Sequence, residues 1–236
     1  MYSEQAVRGA VRWASVSSGA GPVRVLPDGC LDLLWSSRAG LLVAGPDRTA
    51  HLSRSAPGER WIGLRLPPGV GPAVLGVPAE ELRDQRVPLA DLWGRAAGDL
   101  AERVEAATAR PGWSAGGATV LQEVARARLR AAGGPDPLGA HVAARLATGA
   151  TVAATAAEVG LGVRALHRRS RLLFGYGPKT LARILRMRRA LDLARGGAPL
   201  AEVAARTGYA DQAHLTRDVR ELAGVPPTRL LAPPAG

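Results

Sequence analysis

Arg164, His167, Arg168 and Arg171 stand three and four residues apart, which on a helix puts four donors on one face and Leu166 and Leu173 on the opposite one. A solvated charged face is the plain reading of such a row. The other is contact with a polyanion, because arginine forks match phosphates and guanine edges bidentately. A second row, Gln212, Ala213, Thr216 and Arg217, carries the same chemistry in different residues. Gln pairs bidentately with adenine, Arg with guanine, and the Ala methyl fits a thymine methyl. His214 and Arg220 sit at the rim of this row, where phosphates would lie. Asp211 suits a helix cap better than a base contact, since a carboxylate is repelled by phosphates and favoured at a helix N-terminus.

Both rows belong to a repeat. Ala156-Ala157-Glu158-Val159-Gly160-Leu161, followed by Leu166-His167-Arg168, returns as Ala204-Ala205-Arg206-Thr207-Gly208-Tyr209, then Leu215-Thr216-Arg217. The offset is 48 positions from Ala156 to Ala204 but 49 from Leu166 to Leu215, so the second copy has one extra residue in its turn. Each copy reads as a short helix, a glycine turn and a second helix. Small Ala lets helices approach closely, and Gly takes the positive φ of the turn. This is helix-turn-helix grammar written twice, and it tips both rows toward DNA. Between the copies, Pro178 to Arg195 reads as a single helix with Pro at its first position. Its eighteen residues span about 27 Å, against about 34 Å between successive major-groove faces. Arg183 and Arg186 on this rod are phosphate candidates along with Arg171, and Lys179 assists them.

The charge agrees with this division of labour. The chain carries +11 overall; residues 136–236 hold 15 Lys+Arg against 7 Asp+Glu, and residues 1–135 hold 16 against 13. A basic half joined to a nearly neutral one points to a polyanion-binding part and a part with another task. The linker Gly133-Gly134-Pro135-Asp136-Pro137 separates them, giving expected domains at 1–134 and 135–236. Beyond it everything reads helical, about seven helices, with Thr151 and Asp211 as caps. Before it, β-like runs at Val11–Val16, Val23–Leu26, Leu31–Trp35, Leu41–Ala44 and Trp61–Leu66 suggest a small antiparallel barrel or sandwich. Residues 1–10 read as a frayed start. From about residue 70 helices are expected, at Pro78–Arg83, Leu89–Trp93, Ala97–Ala109 and Ala115–Ala132. The fold class is therefore α+β in two domains.

Residues from about 136 to 231 resemble the DNA-binding domain of the AraC/XylS transcription regulators. The likeness rests on Ala156…Gly160, Leu166-x-Arg168, Gly175-x-Gly177-Pro178, Arg186-x-x-Arg189-Ala190, Ala204…Gly208-Tyr209, Asp211-Gln212 and Gly224-Val225-Pro226-Pro227. It implies a seven-helix domain with two helix-turn-helix units. The base-reading places then fall on Arg164, His167 and Arg168, and on Gln212, Ala213, Thr216 and Arg217. Ser170 and Val219 depart from the pattern, standing where the family usually buries Phe, and Gly162 stands where a Ser cap is usual. Each smaller side chain forfeits about 1–3 kcal/mol of packing unless neighbours fill the space. Leu26-Pro27-Asp28-Gly29-Cys30-Leu31-Asp32-Leu33-Leu34-Trp35 and Gly76-Val77-Pro78-Ala79-Glu80-Glu81-Leu82 resemble pieces of the effector domain of actinobacterial regulators of this type. That likeness implies a cupin-like domain that binds a small molecule and helps the protein dimerise, with RNA polymerase as a partner of any activator.

Effector candidates in the first half are Trp13, Trp35 and Trp61 as pocket walls, and Arg24, Asp28, Asp32 and Arg65 as groups that orient a polar ligand. Core burial is the alternative for the tryptophans, and turns or surface pairs for the charges. Cys30, the only cysteine, cannot form an internal disulfide and fits a reducing compartment. It is a buried thiol or, alternatively, an effector-site or alkyl-accepting one. His51 is the only histidine of that half, so a metal site built from several histidines is not available, and no cofactor is expected. No nucleophile elbow or phosphate loop stands in the sequence, which argues against an enzyme. No charged start precedes an apolar core, and no run of eighteen apolar residues exists, so a cytoplasmic protein without a membrane partner is expected. A small-molecule-sequestering protein is the competing class.

Overall fold

The computed structural model of the chain describes residues 2–19 and 21–232. The outermost residues of both expected domains, 1 and 233–236, lie outside the described residues. Among the described residues the first half builds eight strands: β1 (Tyr2–Val7), β2 (Ala10–Val16), β3 (Val23–Val25), β4 (Leu31–Ser36), β5 (Gly40–Ala44), β6 (His51–Ser53), β7 (Arg60–Leu66) and β8 (Arg86–Pro88). Six of them form an antiparallel sheet in the order β1-β2-β7-β4-β5-β8, and β3 pairs with β6 in a separate ribbon. The large sheet is open. Among the described residues β1 and β8 are its edges and no pairing joins them, so the expected barrel is not closed.

Alternation sorts the sheet into two faces. Leu31, Leu33 and Trp35 of β4 and Ile62, Leu64 and Leu66 of β7 turn to one side and are buried. Helices cover that side: α1 (Gly71–Leu75), α2 (Leu89–Trp93), α3 (Arg95–Thr108) and α4 (Trp113–Ala131). Leu100 and Val104 of α3 and Leu121 and Ala125 of α4 complete this core. Several stretches differ from the sequence reading, β6 and β8 among them. Residues 2–7 form β1 rather than a frayed start, its side chains mostly exposed on both faces, so no alternation of polarity could betray it. Pro78–Arg83 is a single 3₁₀ turn at Ala79–Glu81, too short to be a helix, and α1 before it was not anticipated.

The second half is all-α: α5 (Pro137–Ala147), α6 (Val152–Glu158), α7 (Val163–Phe174), α8 (Pro178–Arg195), α9 (Leu200–Thr207), α10 (Gln212–Ala223) and α11 (Pro227–Leu231). The caps are local and strong. Asp136 accepts from the Leu138 N–H at 2.9 Å, Thr151 from Ala154 at 3.1 Å and Asp211 from His214 at 2.6 Å. Gly162, at the start of α7, offers no side-chain cap. Ala156 and Ala204 are buried, and Gly160 and Gly208 turn with φ of 66° and 78°, so both copies of the repeat are helix-turn-helix units. A second core joins the units through α8, whose Leu181, Ile184, Met187, Ala190 and Leu191 are all buried. Leu26 from the first half packs against this core too. Among the described residues no helix is long and apolar enough to cross a membrane.

Candidate nucleic-acid interface

The buried side of α7 is set by Leu166, Ser170, Leu173 and Phe174, which forces Arg164, His167 and Arg168 outward. In α10 the buried set is Leu215, Asp218, Val219 and Leu222, and Gln212, Ala213 and Arg217 stand exposed. Thr216 is half-buried and donates to the Gln212 carbonyl at 2.9 Å. The exposed rows occupy the N-terminal half of each second helix, the part of a helix-turn-helix that meets base edges. Arg164, Arg168 and Arg217 have no ion-pair or hydrogen-bond partner among the described residues, so their full donor capacity faces solvent. His167 lies against the backbone of Gly177, where its imidazole Nε2 is 2.6 Å from the position a Cβ would take. α8 is unbroken over its eighteen residues, so the two rows are set by a single rod.

The phosphate candidates divide. Lys179 and Arg220 are exposed, and His214 is half-buried beside Tyr209, its ring edge-on at 5.2 Å. Arg171 is exposed but bound to Glu80 of the first half at 2.6 Å. Arg183 and Arg186 reach across from α8 to one carboxylate, that of Asp218 on α10. Arg183 Nε and Nη2 donate to Oδ1 at 2.8 and 2.5 Å, and Arg186 Nη2 donates to Oδ2 at 2.9 Å. The Tyr209 hydroxyl donates to the same Oδ2 at 3.0 Å, and Arg186 lies over the Tyr209 ring at 4.0 Å. Burial alone would raise the Asp218 carboxyl, but the arginines and the tyrosine outweigh it and hold the group below the ordinary carboxylate range. Burial and the neighbouring carboxylate push the Tyr209 hydroxyl up, so it stays a donor. Beside this network an open groove of about 810 Å3 runs between the end of α5, the rod α8 and the second unit, with Lys179, Arg189, Arg206 and Arg217 on its walls.

Asp218 escaped the sequence reading. Its signal was there: a carboxylate three residues after Leu215 and one before Val219 falls in the buried phase of an amphipathic helix, and a buried carboxylate needs partners.

The effector candidates fall into three places. Trp13, Asp28, Cys30, Asp32 and Arg65 come together on and beside the sheet face away from the helices. There the Trp13 indole N–H donates to Asp32 at 2.9 Å, and Arg65 lies 3.4 Å from Asp28 and 3.5 Å from Asp32. Trp61 shares that face with Arg65 by alternation, and its indole N–H is buried without a partner among the described residues. Trp35 is not with them: three positions after Asp32 on the same strand, it points into the helix-covered core and is 4% exposed. Arg24 is not with them either, since its guanidinium reaches the end of α10. Burial raises Asp32 against the pull of Arg65. Burial, then Asp28 and Asp32, push the Cys30 thiol well up, the opposite of what a nucleophilic thiolate requires.

Residues 140–232 match a family model described as a helix-turn-helix domain, and residues 10–88 match a domain of unknown function, DUF6597. Among curated proteins none matches the chain. Among solved structures, the C-terminal domain of AraT, a response regulator from Geobacillus stearothermophilus, is 20% identical over 41% of this chain and 84% of that one, with a TM-score of 0.38. A probable AraC family transcriptional regulator from Rhodopseudomonas palustris is 22% identical over 41% and 95%, with a TM-score of 0.36. ToxT from Vibrio cholerae is 8% identical over 98% and 96%, with a TM-score of 0.49.

Proposed function

We propose a specific working of what is, in architecture, an AraC/XylS-type DNA-binding transcription regulator, with a C-terminal helix-turn-helix domain and a separate N-terminal domain. The division is taken at 134/135. α7 and α10 enter successive major grooves on one side of a duplex. Arg164, His167 and Arg168 read one half-site, and Gln212, Ala213, Thr216 and Arg217 the other. Lys179, Arg220 and His214 serve the backbone, and Arg171 joins them once it leaves Glu80. Arg183 and Arg186 act chiefly on Asp218, holding α10 to α8. The observation that carries this reading is that Arg164, Arg168 and Arg217, without a partner among the described residues, stand exposed on two helices joined by one rigid rod.

The N-terminal domain is read as a cupin-like sandwich made of the open sheet and the β3–β6 ribbon. A small effector would meet the face that carries Trp13, Asp28, Asp32, Trp61 and Arg65. A second copy of the chain, and RNA polymerase for an activator, are the further partners this reading expects, in the cytoplasm where the DNA is.

Selection of bound duplexes from a random pool tests the reading directly. An asymmetric two-part motif is expected. Arg168→Ala and Arg217→Ala should each cost about 1–3 kcal/mol and relax the preference in one part only. Failure of the full chain to enrich any motif, or enrichment unchanged by both substitutions, would dismiss it.

A further inference from the structure

Both reading helices end in the same way. The C-terminal cap of α7 is Gly175 and that of α10 is Gly224, forty-nine residues on, both left-handed with φ of 82° and 73°. Each closes its helix by donating its N–H to the arginine carbonyl four residues back, Arg171 or Arg220. The last carbonyls of a helix have no partner within it and carry the negative end of its dipole.

In this chain the first half of the molecule takes a carbonyl at each of these ends, that of the cap residue after α7 and those of the last two residues of α10. Arg83 Nη1 donates to the Gly175 carbonyl at 3.0 Å. Arg24 Nη1 donates to the Ala223 carbonyl at 2.7 Å, and the Ala50 backbone N–H donates to the Leu222 carbonyl at 2.7 Å. The approach is close enough to need glycine at 175, and it brings the Arg24 guanidinium against Gly224. A Cβ on Gly175 would lie 2.6 Å from Pro46 Cγ and 3.1 Å from the Ala79 carbonyl oxygen, and one on Gly224 would lie 2.9 Å from Arg24 Nη1. Each contact involves the end of a reading helix remote from its reading row, so the grip leaves the rows uncovered. Arg24 and Arg83 come from separate segments of the N-terminal half, 59 residues apart. They nonetheless arrive at the same end of the two reading helices, one residue apart in the repeat.

We infer that Arg24 and Arg83 are positioning residues for DNA reading: each holds the carbonyl end of one reading helix, so the N-terminal domain sets the angle and spacing at which α7 and α10 meet the duplex. The inference rests on the DNA-reading function proposed above. A general stabilising role would weaken every complex alike. A positioning role acts on the relation between the two half-sites, which shifts by about 3.4 Å along and about 35° around the duplex for each base pair inserted.

The test takes the duplex that the full-length chain selects from a random pool and rebuilds it with the half-sites one base pair nearer or farther. Single half-site duplexes are measured beside it. The wild-type chain is expected to prefer its own spacing by at least about tenfold. Arg24→Gln and Arg83→Gln, each checked for a native circular-dichroism spectrum, are expected to bring that ratio below about threefold, with half-site affinity changing by less than about twofold. Arg24→Lys and Arg83→Lys keep a cationic donor for the same carbonyls and are expected to restore most of the ratio. A ratio left intact in the Gln variants, Lys variants as relaxed as the Gln ones, or a wild-type chain indifferent to spacing would overturn the positioning role while leaving DNA reading in place. A wild-type chain that selects no duplex would remove the DNA reading itself, and this inference with it.

Discussion

Replacing Asp218 by Asn tests the joint between the rod and the second reading helix. The carboxylate accepts two hydrogen bonds on Oδ1 from Arg183 and one each on Oδ2 from Arg186 and Tyr209. An amide keeps one oxygen, so donors on one side must face an NH2 group. About two charge-assisted bonds are lost, each worth about 1.5–3 kcal/mol. The Arg183 and Arg186 side chains remain 35% and 27% exposed, so water recovers part of the loss. The Tyr209 hydroxyl can also turn to accept from the amide. The expected net cost is about 2 kcal/mol, read as a lower urea midpoint at neutral pH with an unchanged slope.

The pH dependence separates this account from a packing effect. A carboxylate held low in the folded state stabilises fully above its ordinary range, and it loses that contribution as the pH falls through the lowered value. The gap between the wild-type chain and Asp218→Asn should therefore be constant near neutrality and close as the medium becomes strongly acidic. A neutral-pH difference under about 0.5 kcal/mol, or a gap that does not shrink in acid, would refute the reasoning.

Further expectations follow from single contacts. Glu80→Gln releases Arg171, so binding to a selected duplex should tighten and its log–log salt slope should steepen by about 0.9; an unchanged slope would mean Arg171 does not reach a phosphate. The Ser170 hydroxyl is fully buried without a partner among the described residues, so Ser170→Ala should leave the urea midpoint unchanged or raise stability by about 1 kcal/mol, and a clear loss would reveal a partner. Thr151→Ala removes the cap of α6 and should cost about 1 kcal/mol in the same assay, whereas a loss below about 0.3 kcal/mol would mean water replaces the cap. Cys30 should react with a thiol reagent at neutral pH far more slowly in the folded chain than in urea, because its thiol is held protonated; equal rates would contradict that environment.

The helical half was legible because its signals are local. Thr151 and Asp211 cap where the sequence puts them, Pro178 opens α8, and 3.6-residue spacing separates Leu166 from Arg168 without any knowledge of neighbours. The partners of the arginines were not legible. Arg183 meets Asp218 across 35 residues and Arg24 meets Ala223 across 199, and nothing in the intervening chain encodes those meetings. β1 was missed because its polarity does not alternate, and β6 and β8 because each has only three residues, the latter ending in Pro88. Trp35 is a different kind of miss. Asp32 and Trp35 are an odd number of positions apart on one strand, so they cannot share a face, and the alternation rule was enough to exclude Trp35 from the cluster.

The departures from the family pattern bear on how stiff the two readers are. Ser170 and Val219 leave less bulk beneath α7 and α10 than phenylalanine would, which by itself predicts loosely seated helices. Other side chains take up that task. Phe174, the only phenylalanine, is fully buried one turn beyond Ser170, and it lies 3.3 Å from the position a Cβ on Gly69 would occupy at the domain contact. Val219 is completely buried, and next to it Asp218 replaces dispersion contacts with a fixed set of charged hydrogen bonds to the rod. Such bonds are directional where apolar packing is not, so they specify one angle between α8 and α10 even with a smaller side chain alongside. The Arg183, Arg186 and Asp218 joint therefore fixes the second reader from the rod side, and the N-terminal domain holds both readers from their far ends. Loss of the Asp218 joint should loosen the second reading helix alone, whereas loss of the N-terminal contacts should loosen the first more, because α10 keeps its joint to the rod.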